Sequence, residues 1–134
     1  MIKLFSLTVL AAALIGLPGF AAETKAPNTK VQRIDVEQYD KLRANTNNVL
    51  LDVRTKAEYE KGHIPGATNI DISSPRFDES VAKLDTNKTY LVNCAVGMRS
   101  ARACKKLEGM GFKNLYDLAP GFDGWKKAGK PVDK

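Results

Sequence analysis

The chain has 134 residues, is 43% hydrophobic and carries a formal net charge of +6. That length supports one domain with a real core, and two cysteines exclude a disulfide framework as the source of stability. The lysines are scattered, without a dense basic stripe or interleaved aromatics, so the charge implies solubility and mild attraction for small anions, not nucleic-acid binding.

The N-terminus has the layout of a signal peptide. Lys3 is a short basic start, Leu4 to Leu17 is an apolar run, and Pro18-Gly19 breaks any helix. Gly19 and Ala21 supply the small residues of a cleavage site, so residues 1–21 are set apart from the fold, and export to the bacterial periplasm is expected. An uncleaved membrane anchor is the rival reading. The run is short for spanning and ends at Pro-Gly, so no stable membrane insertion is expected after cleavage. Export implies an oxidising compartment, where paired cysteines are the default. Residues 22–30 are polar, contain Pro27, and read as a flexible lead-in to a domain over 31–134.

Val31 to Ile34 reads as a short strand. Asp35 and Gln38 have capping-box spacing, and Val36, Tyr39 and Leu42 follow at helical period. Asn45 to Asn48 is a turn before a buried strand, Val49 to Val53. Thr55 and Glu58 form a second capping box on a short helix that Gly62 ends. Proline and glycine bar helix or central strand from 62–67, and Thr68 to Ile70 is a brief strand. Ser74-Pro75 reads as the N-cap and first residue of a helix with Phe77, Val81 and Leu84 on one face. After a turn over 85–88, the run from Tyr90 is a buried strand ending at Cys94. A loop with Gly97 in its middle leads to a helix starting near Ser100, with Ala103, Leu107 and Met110 on one side and Gly111 as its stop. Asn114 to Leu118 is a strand, 119–121 a turn, and 122–128 a last helix with Trp125 inward. Strands alternating with helices mean βαβ units: an α/β domain with a mostly parallel central sheet flanked by helices. Ligands gather at the C-terminal ends of such strands, where Asp52-Val53-Arg54 and Cys94 fall.

The stretch 94–100 carries the chemistry. Ala95 and Gly97 are small enough to let backbone N–H groups turn inward as an anion-binding concavity. Arg99 adds a permanent positive charge, and the following helix adds the positive end of its dipole. A sulfur at the centre is favoured as thiolate, the nucleophilic form. The alternative for Cys94 is burial as a small hydrophobe, and for Arg99 a solvated surface charge. Two reactions fit a reactive Cys94. It can attack the outer sulfur of an anionic donor such as thiosulfate and hold that sulfur as a persulfide for a thiol or cyanide acceptor. Or it can attack phosphorus, as in a small cysteine phosphatase or arsenate-reductase-type enzyme. Against the second, four residues, Ala95 to Met98, separate Cys94 from Arg99, where such phosphatases have five. The smaller loop better matches one sulfur atom.

Three stretches resemble the single-domain rhodaneses, the thiosulfate sulfurtransferases. They are Leu51-Asp52-Val53-Arg54 with Glu58-Tyr59 and Gly62-His63-Ile64-Pro65-Gly66-Ala67; Cys94-Ala95-Val96-Gly97-Met98-Arg99-Ser100; and Leu118-Ala119-Pro120-Gly121-Phe122-Asp123-Gly124-Trp125. In the last, Pro120 replaces the first of two adjacent glycines, which implies a local turn change without loss of activity. The resemblance covers about residues 31–130. It implies a rhodanese-like domain with Cys94 as persulfide carrier and the loop Ala95, Val96, Gly97, Met98, Arg99 and Ser100 as the sulfur-binding cradle. It implies a small anionic sulfur donor, a thiol or protein-thiol acceptor, and no cofactor or metal. A non-catalytic rhodanese-like binding module is the remaining alternative; such modules commonly lack the cysteine.

Ser100 reads as a helix N-cap, not a catalyst. Cys104 reads as a core residue, with a resolving thiol for Cys94 as the sharper alternative. His63 suits fixing a turn. Asp52, Arg54 and Glu58 read as an ion-pair network joining strand to helix, and Trp125 as core. The apolar Ala95, Val96 and Met98 suggest open access to the sulfur for another protein's thiol.

Overall fold

The protein is described by a computed structural model covering Gly16 and residues 31–134. The signal peptide and lead-in expected over 1–30 lie outside the described residues, Gly16 apart. In chain order the elements are β1 (Gln32–Ile34), α1 (Val36–Arg43), β2 (Val49–Asp52), α2 (Lys56–Lys61), β3 (Thr68–Asn69), α3 (Phe77–Val81), β4 (Thr89–Asn93), α4 (Met98–Gly109), β5 (Asn114–Leu118) and α5 (Gly121–Lys127). Both expected capping boxes form. Asp35 accepts from the Gln38 amide at 2.8 Å, and Thr55 accepts from the Glu58 amide at 3.2 Å.

Ser74-Pro75 does not begin α3, contrary to the sequence reading. The Ser74 hydroxyl accepts from the Arg76 amide at 3.2 Å, and its carbonyl accepts from Phe77 at 3.1 Å. The serine closes a turn on itself, and the helix starts after it.

The strands form one all-parallel sheet in the order β1-β5-β4-β2-β3. Alternation along each strand feeds two apolar layers. Leu51, Tyr90, Val92, Cys94 and Leu115 face α3 and α4, packing with Phe77, Val81, Ala103 and Leu107. Leu50, Leu91 and Leu118 pack on the other side with Ile34, Tyr39, Phe122 and Trp125. Trp125 is fully buried and donates from Nε1 to the Pro131 carbonyl at 2.7 Å. Among the described residues no helix is long and apolar enough to cross a membrane.

The chain leaves β2 toward β3 at one edge and leaves β4 toward β5 in the opposite direction. The connections after β2 and β4 therefore diverge, which makes the strand ends at Asp52 and Asn93, register partners, the topological switch point of the sheet. Gly121, which opens α5, closes this end. Its φ is +65°, and a Cβ there would lie 2.3 Å from the Ala95 carbonyl oxygen. Gly121→Ala should lose more than about 1 kcal/mol of unfolding free energy in guanidinium melts. Gly109→Ala, in open space at the end of α4, should be neutral or gain up to about 1 kcal/mol.

Candidate active site

Cys94 directly follows β4, and the strand's alternation turns its side chain toward α4 with Tyr90 and Val92. The chain then makes a tight loop, Ala95-Val96-Gly97, and enters α4 at Met98. The expected start near Ser100 is corrected by Gly97. With φ +90° and ψ 0° it turns the chain straight into the helix as its N-cap, and a Cβ there would meet the Ala119 carbonyl oxygen at 2.0 Å. Ser100 is consequently the third helical residue and not the cap. It is fully buried, and its Oγ lies 3.4 Å from Cys94 Sγ.

The loop's carbonyls are held away from the sulfur. The Phe122 amide donates to the Cys94 carbonyl at 2.8 Å, and the Asp123 amide to the Ala95 carbonyl at 3.0 Å. The first turn of α5 thus uses its free N–H groups on this loop. Arg33 on β1 donates to the Gly97 carbonyl at 3.4 Å. The Ala95 carbonyl shares its peptide unit with the Val96 N–H, so tying that oxygen outward turns this amide toward the sulfur. The Gly97 N–H donates to Sγ at 3.1 Å. Burial pushes the Cys94 thiol up, but the Ser100 hydroxyl and the backbone amides of Ser100, Val96 and Gly97 outweigh it, and the net shift is downward.

Two expectations change. The sulfur is not exposed: Cys94 is 1% accessible, beneath a rim where Val96 is 57% and Met98 77% exposed. The loop wraps the thiol closely enough to shut out solvent, which the small residue types alone did not indicate. Nor does Arg99 stand free behind the sulfur. Its two terminal nitrogens pair with the Glu58 carboxylate at 2.8 and 2.9 Å. The hydrogen bond from Arg99 holds the Glu58 carboxyl down at about 2.

The remaining candidates buttress the loop. Arg54 grips Asp52 at 2.7 Å, donates to the Gly62 carbonyl at 2.7 Å, and lies over the Phe122 ring. The Asp52–Arg54 pair therefore ties β2 to the end of α2 and to α5. Glu58 completes the link by reaching α4 through Arg99. His63 stacks on Tyr59 with ring centroids 3.8 Å apart, and its backbone bridges Asp133. Cys104 is fully buried on α4, and burial pushes its thiol up, so it stays protonated. Both cysteines are free thiols. A cavity of about 210 Å³ lies between α2 and α5, lined by Arg54, Glu58, Lys61, Phe122 and Lys126 and by none of residues 94–100. The sequence reading missed Arg33, Asp117 and the α5 amides. Of these, the three-residue spacing from Leu118 to Gly121 was the available signal.

The family model for the rhodanese-like domain matches residues 35–128, more than half of the chain. The thiosulfate sulfurtransferase GlpE of Pseudomonas savastanoi pv. phaseolicola is 35% identical over 98 residues, covering 73% of this chain and 90% of that protein. The rhodanese-like domain-containing protein 14, chloroplastic, of Arabidopsis thaliana is 29% identical over 147 residues, and the match spans 66% of its length. The crystal structure of a rhodanese-related protein from Thermoplasma volcanium superposes with a TM-score of 0.66 at 31% identity, covering 76% of this chain and 97% of that one.

The Glu58–Arg99 pair joins α2 to α4, and its contribution follows the Glu58 carboxyl. That group titrates at 4.5 when unperturbed and at about 2 in the fold. The lowered value makes the pair stabilising above pH 4.5, with the benefit lost as pH falls towards about 2. Urea melts of wild type and Glu58→Gln should accordingly differ most above that upper pH and converge in strong acid. A gap that stays constant through this window would discard the pair as a pH-linked tie.

Proposed function

The chain belongs to the rhodanese-like domain family, and on that premise we propose that it is a sulfurtransferase carrying sulfane sulfur on Cys94. Its relatives support sulfur transfer in general; the donor, the acceptor and the covalent step belong to the proposal. The observation that carries it is the Gly97 N–H donating to Cys94 Sγ at 3.1 Å beside the Ser100 hydroxyl at 3.4 Å, with the loop carbonyls tied outward.

The first step takes thiosulfate as donor. The Cys94 thiolate attacks the sulfane sulfur, a new S–S bond forms, and the donor's S–S bond breaks. Sulfite leaves with the electron pair, and the persulfide keeps one negative charge. In the second step an acceptor thiolate or cyanide attacks the outer sulfur, and the Cys94 thiolate returns. The negative charge stays on sulfur throughout, which inward N–H groups accommodate without moving a proton. The displacement calls on no cofactor or metal, since one sulfur atom and one electron pair account for it. The backbone amides and the buried Ser100 hydroxyl shift Cys94 toward the thiolate.

Donor and acceptor reach Sγ past Val96 and Met98. The unbranched methionine moves aside readily, and the acceptor is a small thiol or a thiol on another protein. Both Arg99 terminal nitrogens are committed to Glu58, and Asp52 is locked by Arg54. A phosphoryl group would therefore lack both a free guanidinium and a general acid, which disfavours phosphatase chemistry. A purely docking role is disfavoured by the downward shift of Cys94, which a silent thiol does not need. We also propose, from the signal-like layout of residues 1–21, that the protein is exported to the periplasm with that segment removed; N-terminal sequencing of exported protein checks that cut.

Thiosulfate treatment should add one sulfur to the Cys94 peptide by mass, and cyanide should remove it. Steady-state rates with thiosulfate and cyanide should follow ping-pong kinetics. Cys94→Ser should fall to the uncatalysed background while melting like wild type. Full activity in that variant would overturn the reading.

A further inference from the structure

The sulfur chemistry gives Arg33 no part, yet its guanidinium touches the turn that holds the sulfur. Arg33 sits on the edge strand β1, opposite Asp117 of β5 in the parallel register. Its Nε lies 3.5 Å from the Asp117 carboxylate. One terminal nitrogen donates to the Gly97 carbonyl at 3.4 Å and to the Ala119 carbonyl at 3.5 Å. A Cβ on Gly97 would stand 3.0 Å from that same nitrogen, so the guanidinium lies against the bare face of the glycine. One side chain thus joins β1, β5 and the entry to α4.

The Arg33 side chain is 54% exposed. Its bonds are long, and a half-exposed arginine without an anchor would exchange them for water. Asp117 supplies the anchor. It is fully buried, neither carboxylate oxygen has a hydrogen-bond partner, and among the described residues Arg33 is its one ion-pair partner. A buried carboxylate keeps its single counter-charge, because release would leave it unpaired. Lys105 and Glu108 of α4 line a cavity of about 350 Å³ with this pair, and their opposite charges offset one another.

Gly97 needs such a hold. It has no side chain to fix its rotation, and its φ of +90° joins two peptide units with different tasks. The unit before it carries the N–H that donates to Sγ at 3.1 Å. The unit after it carries the carbonyl that Arg33 holds. We propose that Arg33 is a positioning residue for Cys94: seated on Asp117, its guanidinium fixes the Gly97 turn and so keeps the Gly97 N–H on the sulfur. The planar fork is what suits arginine to this place. Nε meets the carboxylate while a terminal nitrogen meets the carbonyls, and a lysine ammonium is a single point without that reach.

The inference rests on Cys94 as nucleophile, and its test uses no sulfur donor. Alkylation of Cys94 by iodoacetamide is followed against pH and resolved by peptide mass. Arg33→Gln should displace the rate curve to higher pH, with Cys94 reacting about threefold or more slowly on its acid limb. Arg33→Lys keeps the charge and should restore less than half of that loss; full restoration would assign the effect to charge alone and overturn the proposal. Asp117→Asn separates two effects by sign. Loss of a negative charge by itself favours the thiolate and speeds alkylation, whereas loss of the seat slows it, and slowing is expected. Faster alkylation would overturn the role of Asp117. The double variant should react no more slowly than Arg33→Gln; a further slowing would show that Asp117 acts by another route and is not the seat. Should Asp117→Asn fail to fold, Arg33→Gln carries the test alone. In wild type the Gly97 amide proton resonance should move as Cys94 titrates, and in Arg33→Gln by less than half as much. An unmoved alkylation curve or an unchanged amide titration in a normally melting Arg33→Gln protein would sink the proposal. Sulfur transfer can be present without this shift and absent with it, so the two readings fail separately.

Discussion

The site depends on where three carbonyl oxygens point. A peptide unit that turns its oxygen outward turns the neighbouring N–H inward, and a short loop has few ways to arrange this. Here the oxygens of Cys94 and Ala95 are taken by the amides of Phe122 and Asp123, and that of Gly97 by Arg33. The two bonds from α5 each satisfy two backbone groups at once: an orphan donor of a helix end and a loop acceptor near a buried atom. The polarity around Cys94 is therefore built into the junction between β4, α5 and β1. Gly121 and Gly97 are required because any Cβ would occupy the space through which these bonds pass.

This arrangement explains the closed thiol. A sulfur gathered by several inward donors is wrapped by the loop that supplies them, so low accessibility and a downward-shifted thiol arise together. Desolvation alone would favour the neutral thiol, and the donors must exceed it. They do so because hydrogen bonds to an ionised acceptor are stronger than neutral ones and gain more in a dry site. An accessible thiol in a looser loop would be easier to reach and less acidic.

The chain order of strands and helices was readable because apolar alternation and capping boxes are local signals. Asp35–Gln38 and Thr55–Glu58 close as their spacing implies, and Asn114 to Leu118 is a strand with those limits. The Cys94 loop was readable because small residues after a buried strand leave few conformations. Ser74-Pro75 and Ser100 were misread for one reason: a serine hydroxyl serves whichever partner the fold brings near. At Ser74 that partner is its own turn, and at Ser100 it is Cys94. Contacts across the sheet had no local trace. Arg33 and Glu58 reach the loop and α4 from distant parts of the chain, and Asp117 looks like any charged residue in a strand until the register buries it.

Which feature shifts the Cys94 thiol downward is decided by magnitude. Arg99 carries a full charge, but Glu58 cancels it through two bonds, and a third of each side chain is in water. An exposed pair of this kind contributes about 0–1 kcal/mol even to its own partners, and its residual field at a third group is smaller still. The α4 dipole is of similar size, since one helix end contributes about 0.3–1 kcal/mol at ordinary exposure. Hydrogen bonds to a charged group contribute about 1.5–3 kcal/mol each, and Sγ is served by backbone amides and the Ser100 hydroxyl. The amides and hydroxyl therefore dominate, and Arg99 is better understood as the strut that fixes α4 against α2. On this accounting the thiol's acidity is a property of backbone direction, which β1 and α5 enforce from outside the loop.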